Sequence, residues 1–421
     1  MRISAGNIFN YSILRALGSR NYRLFFSGQS ISVIGTWMQM IAMSWLVYRL
    51  TNSPLLLGVI GFTGQIPAFI LAPLAGVLAD RWDRRQILVV TQTLAMVQAF
   101  IVAGLTLSGI IAVWHLVVLS FFLGLVNAFD VPARQALVVL MVEKKEDLPN
   151  AIALNSFLFN GARLVGPTMA GILIAVLGEG MCFLLNGISY IAVIAALLAM
   201  KIEISKKERK DSLIFQELKE GLKYAFNSGA IRAILLLSAI ISMAGMPYTV
   251  LMPVIARDVL NGGAHTFGFL MTGTGIGAVT GAVYLATRKS VKGLGGIIPL
   301  ATGLFGAGLI MLSLSRVFWL SLPVMLLTGF GAMIQMVSNN TILQTIVDDD
   351  KRGRVMSLFT MSFIGMAPFG NLLAGGLANQ IGAPSTIFLS GVLCIIAALL
   401  FLSRVPMLQR EIDCNIRGQA D

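Results

Sequence analysis

Asp130, Arg134 and Arg163 are charged residues that stand in or beside otherwise apolar stretches of this chain. A charge at the centre of a membrane helix costs about 2.5–3.5 kcal/mol on insertion scales, so each must find a partner, water or a ligand. A second group, Gly76-Val-Leu-Ala-Asp80-Arg81-Trp-Asp83-Arg84-Arg85, places acids and bases on the short link between two apolar stretches. Small residues in Ala162-Arg163-Leu-Val-Gly166-Pro167-Thr-Met-Ala170-Gly171 recur four apart around a proline, a pattern that lets helices pack closely. Catalytic chemistry has little to build on. His115 and His265 are far apart, no HExxH is present, and Cys182, Cys394 and Cys414 show neither metal nor redox spacing. No catalytic residue, metal or cofactor is therefore assigned.

The elements that carry these residues follow from composition. Apolar residues make up 57% of the 421 and Asp, Glu, Lys and Arg only 12%, against about 45–50% and about 25% in soluble domains. Mean hydropathy is +0.84. A soluble enzyme, a disordered chain and a secreted disulfide scaffold are excluded. The net charge of +12 points to loops facing the cytoplasm rather than to nucleic acid. Basic and aromatic residues reach Arg23 before the first long apolar stretch, so a cleaved leader is not expected.

A membrane helix needs about 20 apolar residues. Twelve stretches qualify: Phe25 to Tyr48, Leu55 to Ala79, Gln86 to Ser108, Ala112 to Pro132, Ile152 to Val176, Met181 to Met200, Ala230 to Pro253, Phe267 to Ala286, Gly295 to Leu314, Phe318 to Asn339, Val355 to Ala378 and Pro384 to Leu402. With the amino terminus inside, inner segments hold 26 basic residues and outer loops three (Arg49, Arg257, Arg316). That asymmetry predicts both termini in the cytoplasm. The domain plan is a segment 1–24, a six-helix bundle 25–200, a linker 201–229, a second six-helix bundle 230–404 and a tail 405–421. Ile214, Leu218, Leu222 and Ala225 recur at helical spacing in the linker, which reads as a surface amphipathic helix or a solvated one. Residues 8–23 read as a similar surface helix.

The two sets of six look like a parallel repeat. Ser53-Pro-Leu-Leu-Leu-Gly58 opens span two and His265-Thr-Phe-Gly268 opens span eight. Spans four and ten end in charged clusters, Glu143 to Asp147 and Asp348 to Arg352. Spans five and eleven each carry a proline expected mid-helix, Pro167 and Pro368. Six plus six in parallel is one established transporter plan.

The Gly76-x3-Asp80-Arg81-x-x-Arg84-Arg85 sequence resembles the cytoplasmic signature of the major facilitator superfamily, with Asp83 where the pattern has glycine. The stretch around Gly166-Pro167 is similar to that superfamily's antiporter motif, with alanine at two glycine positions. Asp130-Val-Pro-Ala-Arg134 is similar to the drug-exporter branch that includes macrolide and enterobactin exporters. The resemblance implies an all-α membrane protein of twelve helices in two parallel six-helix pseudo-repeats. It implies a secondary active transporter, not an enzyme, that exports an amphipathic organic molecule (drug or siderophore-like) across the inner membrane by alternating access. The driving force expected is proton antiport, and the unit a monomer. A lipid or lysophospholipid translocase of the same fold is the alternative. In the family, spans five and eight face each other across the halves.

Physical chemistry assigns roles beside this. Gly76 lets a helix approach its neighbour. Asp80 could face the amino end of span eleven. Arg84 could reach a carboxylate on span four, and Arg81 and Arg85 could serve the same gate or merely obey the charge rule. Asp130 lies 18 residues from the start of span four, roughly 27 Å at 1.5 Å each. It reads as a gate partner of Arg84, Arg85 or Arg134, with proton coupling as the alternative. Arg163, 11 residues into span five and roughly 16 Å deep, could meet an anionic substrate group, pair with Asp130 or bond carbonyls. Gln39, Asn127, Asn155 and Gln335 could line a cavity or bond helix to helix. Trp37, Phe62 and Phe159 could wall an apolar site. The run Gly273-Thr-Gly-Ile-Gly277 lies inside an apolar span, so it is not a nucleotide loop.

Overall fold

The computed structural model describes residues 14–201, 222–288, 290–291 and 293–418, with the side chains of 72–74, 76–81, 145, 349–350 and 413–418 outside the description. Among the described residues, twelve helical segments are long and apolar enough to cross a membrane. They are α1 (Arg20–Thr51), α2 (Pro54–Arg81), α3 (Arg84–Leu107), α4 (Val113–Met141), α5 (Leu148–Leu177), α6 (Glu179–Ala199), α7 (Gly229–Val259), α8 (Ala264–Ala286), α9 (Leu294–Leu314), α10 (Phe318–Ile346), α11 (Lys351–Ile381) and α12 (Ala383–Leu402). An amphipathic helix α13 (Val405–Gly418) follows. Helices suit a bilayer because each satisfies its own backbone hydrogen bonds.

The chain folds into two compact units. One is Met1–Leu46 with Ile66–Arg209, the other Val47–Gln65 with Lys210–Asp421. The end of α1 and the start of α2 therefore pack with the second unit's helices.

Loop geometry repeats between the sets. Asn52, between α1 and α2, has φ 48°, and Asn261, between α7 and α8, has φ 51°. Asparagine tolerates this left-handed region better than most residues. Gly178 between α5 and α6 (φ 82°, ψ 170°) matches Gly382 between α11 and α12 (φ 84°, ψ 153°).

In the first unit α1 lies on α5 and α6 through glycines. A Cβ at Gly166 would stand 2.5 Å from Trp37 Cβ. Buried amides bind the helices: Gln39 Nε2 donates to Gln98 Oε1 (2.9 Å), and Asn186 Nδ2 donates to Gln39 Oε1 (2.7 Å). Tyr22 donates its hydroxyl to the Ala151 carbonyl at 2.7 Å, within a core of Phe25, Leu88, Leu137, Met141 and Leu197. Such bonds and close backbone approach hold membrane helices together, since lipid supplies no hydrophobic drive between them.

In the second unit the glycine run of span eight packs on α10: a Cβ at Gly277 would lie 1.9 Å from the Leu326 carbonyl oxygen. The backbones there touch directly.

Three expectations need correction. Span four continues past Pro132 to Met141, because a proline removes one backbone hydrogen bond without ending a helix whose neighbours are packed. Pro368 is not mid-helix. α11 breaks at 364–366, and Pro368 stands in the first turn of its second half, where a missing N–H costs nothing. Residues 15–18 form a short 3-10 turn and α1 already begins at Arg20, so the surface helix expected over 8–23 is absent from its described part. In the linker, Ile214 and Leu218 lie outside the described residues. Residues 222–227 are helical, with Ala225 buried. Span seven holds a feature the sequence did not announce: π turns at Ile241–Gly245 and Ile255–Val259.

Candidate functional site

Asp130 and Arg134 sit one turn apart on α4, and their side chains pair at 3.1 Å. Asp130 is buried and also accepts from Thr91 Oγ1 (3.0 Å) and Gln92 Nε2 (2.6 Å) of α3. A buried carboxylate is tolerable when opposite charge and donors surround it, and here both do. Arg134 is held from its other side by the Phe159 ring of α5, 5.2 Å from its guanidinium carbon, a cation–π contact.

Two of the signature arginines bond backbone carbonyls. Arg85 donates from Nε to Leu197 O (2.6 Å) and from an Nη to Leu198 O (2.7 Å), capping the carboxyl end of α6. Arg84 reaches the Ala136 carbonyl of α4 at 3.5 Å. Among the described residues, the ion pair of Asp130 is with Arg134. Asp83, the departure from the signature, accepts from the Arg85 backbone N–H at 2.9 Å and caps α3. Gly76, Asp80 and Arg81 lie on the end of α2, their side-chain positions outside the described residues.

On α5, Asn155, Phe159 and Arg163 recur every four residues and share one face. The Asn155 Oδ1 is buried without a partner. Arg163 is half-buried and makes no side-chain hydrogen bond or ion pair among the described residues. Ala162 and Gly166 point to α1: Ala162 clusters with Val33 of α1 and with Leu158 of its own helix, and Gly166 meets Trp37. Pro167, Ala170 and Gly171 are buried in the same helix. Asn127 is exposed on α4, two turns from Arg134 and on the same side. Gln39 is helix-to-helix glue rather than cavity lining. Gln335 is buried in the second unit with both amide atoms unpartnered.

The sequence matches the family described as transmembrane secretion effector over residues 12–417. The chain belongs to that family. It is a major facilitator efflux transporter, and the motifs quoted above resemble that superfamily for this reason. It is similar to the staphyloferrin A transporter of Staphylococcus aureus, 27% identical over 92% of this chain and 98% of that protein. Macrolide efflux protein A of Streptococcus pyogenes is 25% identical over 90% of this chain and 95% of that one. The fold matches a POT family transporter solved in complex with 5-aminolevulinic acid, with TM-score 0.73, 12% identity and coverage of 93% and 97%.

The transporter carries a second polar cluster that sequence reading missed. Tyr48, near the end of α1, donates its hydroxyl to Asp258. The Arg257 guanidinium carbon lies 5.8 Å over the Tyr48 ring, and an Nη donates to Asn52 Oδ1 at 2.7 Å. The π turn at Ile255–Val259 presents Arg257 and Asp258 together; π turns often sit at functional positions. Below it, Gly58 and Gly375 allow α2 and α11 to touch, and Phe62 meets Phe369 edge-on at 6.0 Å. Arg257 was visible in the sequence only as an outer-loop charge. Tyr48 and Asp258 are 210 residues apart, and no spacing pattern links them.

Proposed function

We propose that the transporter exports an amphipathic organic molecule with an acidic or polar group, of drug or siderophore type, across a bacterial inner membrane in exchange for protons. The reading is carried by one observation: Arg163 stands half-buried in α5 without a side-chain partner among the described residues, in line with Asn155 and one turn from Phe159, whose ring meets Arg134 of the Asp130–Arg134 pair. An unpartnered guanidinium at that depth is costly unless it meets a ligand or water. The names of the two relatives, a staphyloferrin A transporter and a macrolide efflux protein, support the substrate classes.

Coupling is assigned to Asp130. Ionised, it holds Arg134; protonated, it loses the ion pair. If the empty carrier returns only with Asp130 protonated, export and proton import are linked. Both termini lie in the cytoplasm under this reading. The working unit is a monomer of two bundles, 25–200 and 230–404, joined by 201–229. Gly76, Asp80 and Arg81 form the cytoplasmic gate with the Asp130 cluster.

The test is transport in proteoliposomes under an imposed pH gradient, screening staphyloferrin A, erythromycin and lysophosphatidylglycerol. Asp130→Asn is expected to abolish gradient-driven transport while substrate binding survives. Undiminished transport by that variant removes Asp130 from coupling. A second reading, lipid translocation, is favoured by an apolar crevice of about 520 Å³ between α3 and α4, walled by Ile87, Val90, Leu94, Phe122 and Phe129. It predicts that the lysolipid, not the soluble compounds, is moved.

A further inference from the structure

Apart from Asp130, two acids of this chain lie away from the inner segments in the orientation proposed above: Glu179 at the start of α6 and Asp258 in the π turn that ends α7. Glu179 is buried, whereas Asp258 is exposed. Asp258 is thus the carboxylate of the pair that the outer medium can protonate directly.

It also holds a contact between distant parts of the chain. Its carboxylate accepts the Tyr48 hydroxyl. The Tyr48 side chain is buried, and a buried phenol needs a partner for its O–H. The neighbouring Arg257 lies over the Tyr48 ring, its guanidinium carbon 5.8 Å from the centroid, and donates to Asn52 Oδ1 at 2.7 Å. One turn of α7 therefore grips α1 at Tyr48 and the α1–α2 link at Asn52, all within one compact unit.

The groups around Asp258 decide what protonation does. α1 supplies Tyr48 and, next to it, Arg49; the turn itself supplies Arg257; α8 packs on the turn and supplies His265 in its first turn. α12 packs there too and has no ionisable side chain in its first half. None of these neighbours is an acid. Protonation of Asp258 removes the one negative charge from a group of cations, and the bond from Tyr48 falls from charge-assisted to neutral, roughly half the strength. Arg257 loses the anion beside it in the same step.

We propose that Asp258 makes this cluster a pH-responsive latch: ionised, it holds the end of α1 and the start of α2 to α7, and protonated, it lets them part. In the orientation proposed above, the latch answers to the outer pH. It does not rest on the coupling assigned to Asp130.

The experiment places nitroxide labels at Ser53→Cys and Leu260→Cys of the full-length protein in a Cys414→Ser background; Cys182 and Cys394 are buried. The distance between the labels is read by EPR in detergent, where both faces meet one pH and the orientation does not enter. A single short distance is expected at about pH 8, with a growing share of longer distances down to about pH 4, a window that spans ordinary carboxylate titration. The ratio of parted to tied molecules should rise about fivefold to tenfold across it. In Asp258→Asn that ratio should be raised and independent of pH, and in Tyr48→Phe it should be raised and vary less. Asp130→Asn and His265→Gln should respond as the parent does. A distribution that does not move with pH overturns the proposal. So does a response that survives in Asp258→Asn, or one that is lost in Asp130→Asn or His265→Gln. If Asp258→Asn does not fold, Tyr48→Phe decides: an undiminished pH response in that variant also overturns the latch.

Discussion

Replacing Arg134 with glutamine is expected to destabilise the first unit far more than replacing Asp130 with asparagine. The asymmetry follows from exposure: the Asp130 side chain is 3% exposed and that of Arg134 19%. Removing Arg134 strands an ionised carboxylate among Thr91 and Gln92, two neutral donors, and breaking a buried pair from one side costs about 3–5 kcal/mol. Removing the carboxylate leaves Arg134 on the Phe159 face with partial access to water, and the amide oxygen that replaces it can still accept from Thr91 or Gln92. That change should cost about 1–2 kcal/mol, the scale of a charge-assisted hydrogen bond. The double variant, with neither charge, should recover much of the loss, giving a coupling energy of about 1.5–3 kcal/mol. Thermal unfolding in detergent reads all four proteins. At about 2–4 °C per kcal/mol for a unit of this size, Arg134→Gln should melt about 6–20 °C below wild type. Equal, additive losses in the two single variants would refute the reasoning, because they would mean the pair is not coupled.

Tyr48→Phe deletes the hydroxyl held by Asp258 while keeping the ring under Arg257. It should weaken the tie between residues 47–65 and α7 by about 1–1.5 kcal/mol, read as an approximately tenfold faster thiol labelling of a cysteine placed at Ser53; an unchanged labelling rate would remove Tyr48 from that tie. Gly277→Ala should be severe, since its Cβ would fall 1.9 Å from a backbone carbonyl of α10 that cannot rotate away. Loss of at least about 3 kcal/mol, or failure to accumulate in the membrane, is expected, whereas Gly296→Ala, with open space around it, should melt like wild type.

Much of the fold could be read before any coordinates. Twelve spans follow from apolar length and composition, and among the described residues the structure holds twelve helices long and apolar enough to cross a membrane. The repeat glimpsed in the span openings returns in the backbone as the paired turns at Asn52 and Asn261 and at Gly178 and Gly382. Less of the site was legible. Asp130 and Arg134 stood out because charge is costly among apolar residues, yet four arginines (Arg84, Arg85, Arg134 and Arg163) competed for the carboxylate on paper. Thr91 and Gln92 drew no notice, since a neutral residue on a neighbouring span carries no signal of what it faces. The glycine run of span eight packs on α10 within its own unit, and nothing in the spacing of the run names that neighbour. π turns left no trace, because Ile255 to Val259 reads as an ordinary span end.

Membrane insertion is decided segment by segment, from the transfer cost of about 20 residues at a time, and so the linear chain by itself determines how many spans exist. Which guanidinium meets Asp130, or which carbonyl grazes Gly277, depends on how helices are ordered and rotated about their axes. Each residue turns the helix by about 100°, so an error of one residue in a neighbour's register rotates every partner away. Only the tertiary structure decides that, since partners distant in sequence are chosen together by the packing of the whole bundle.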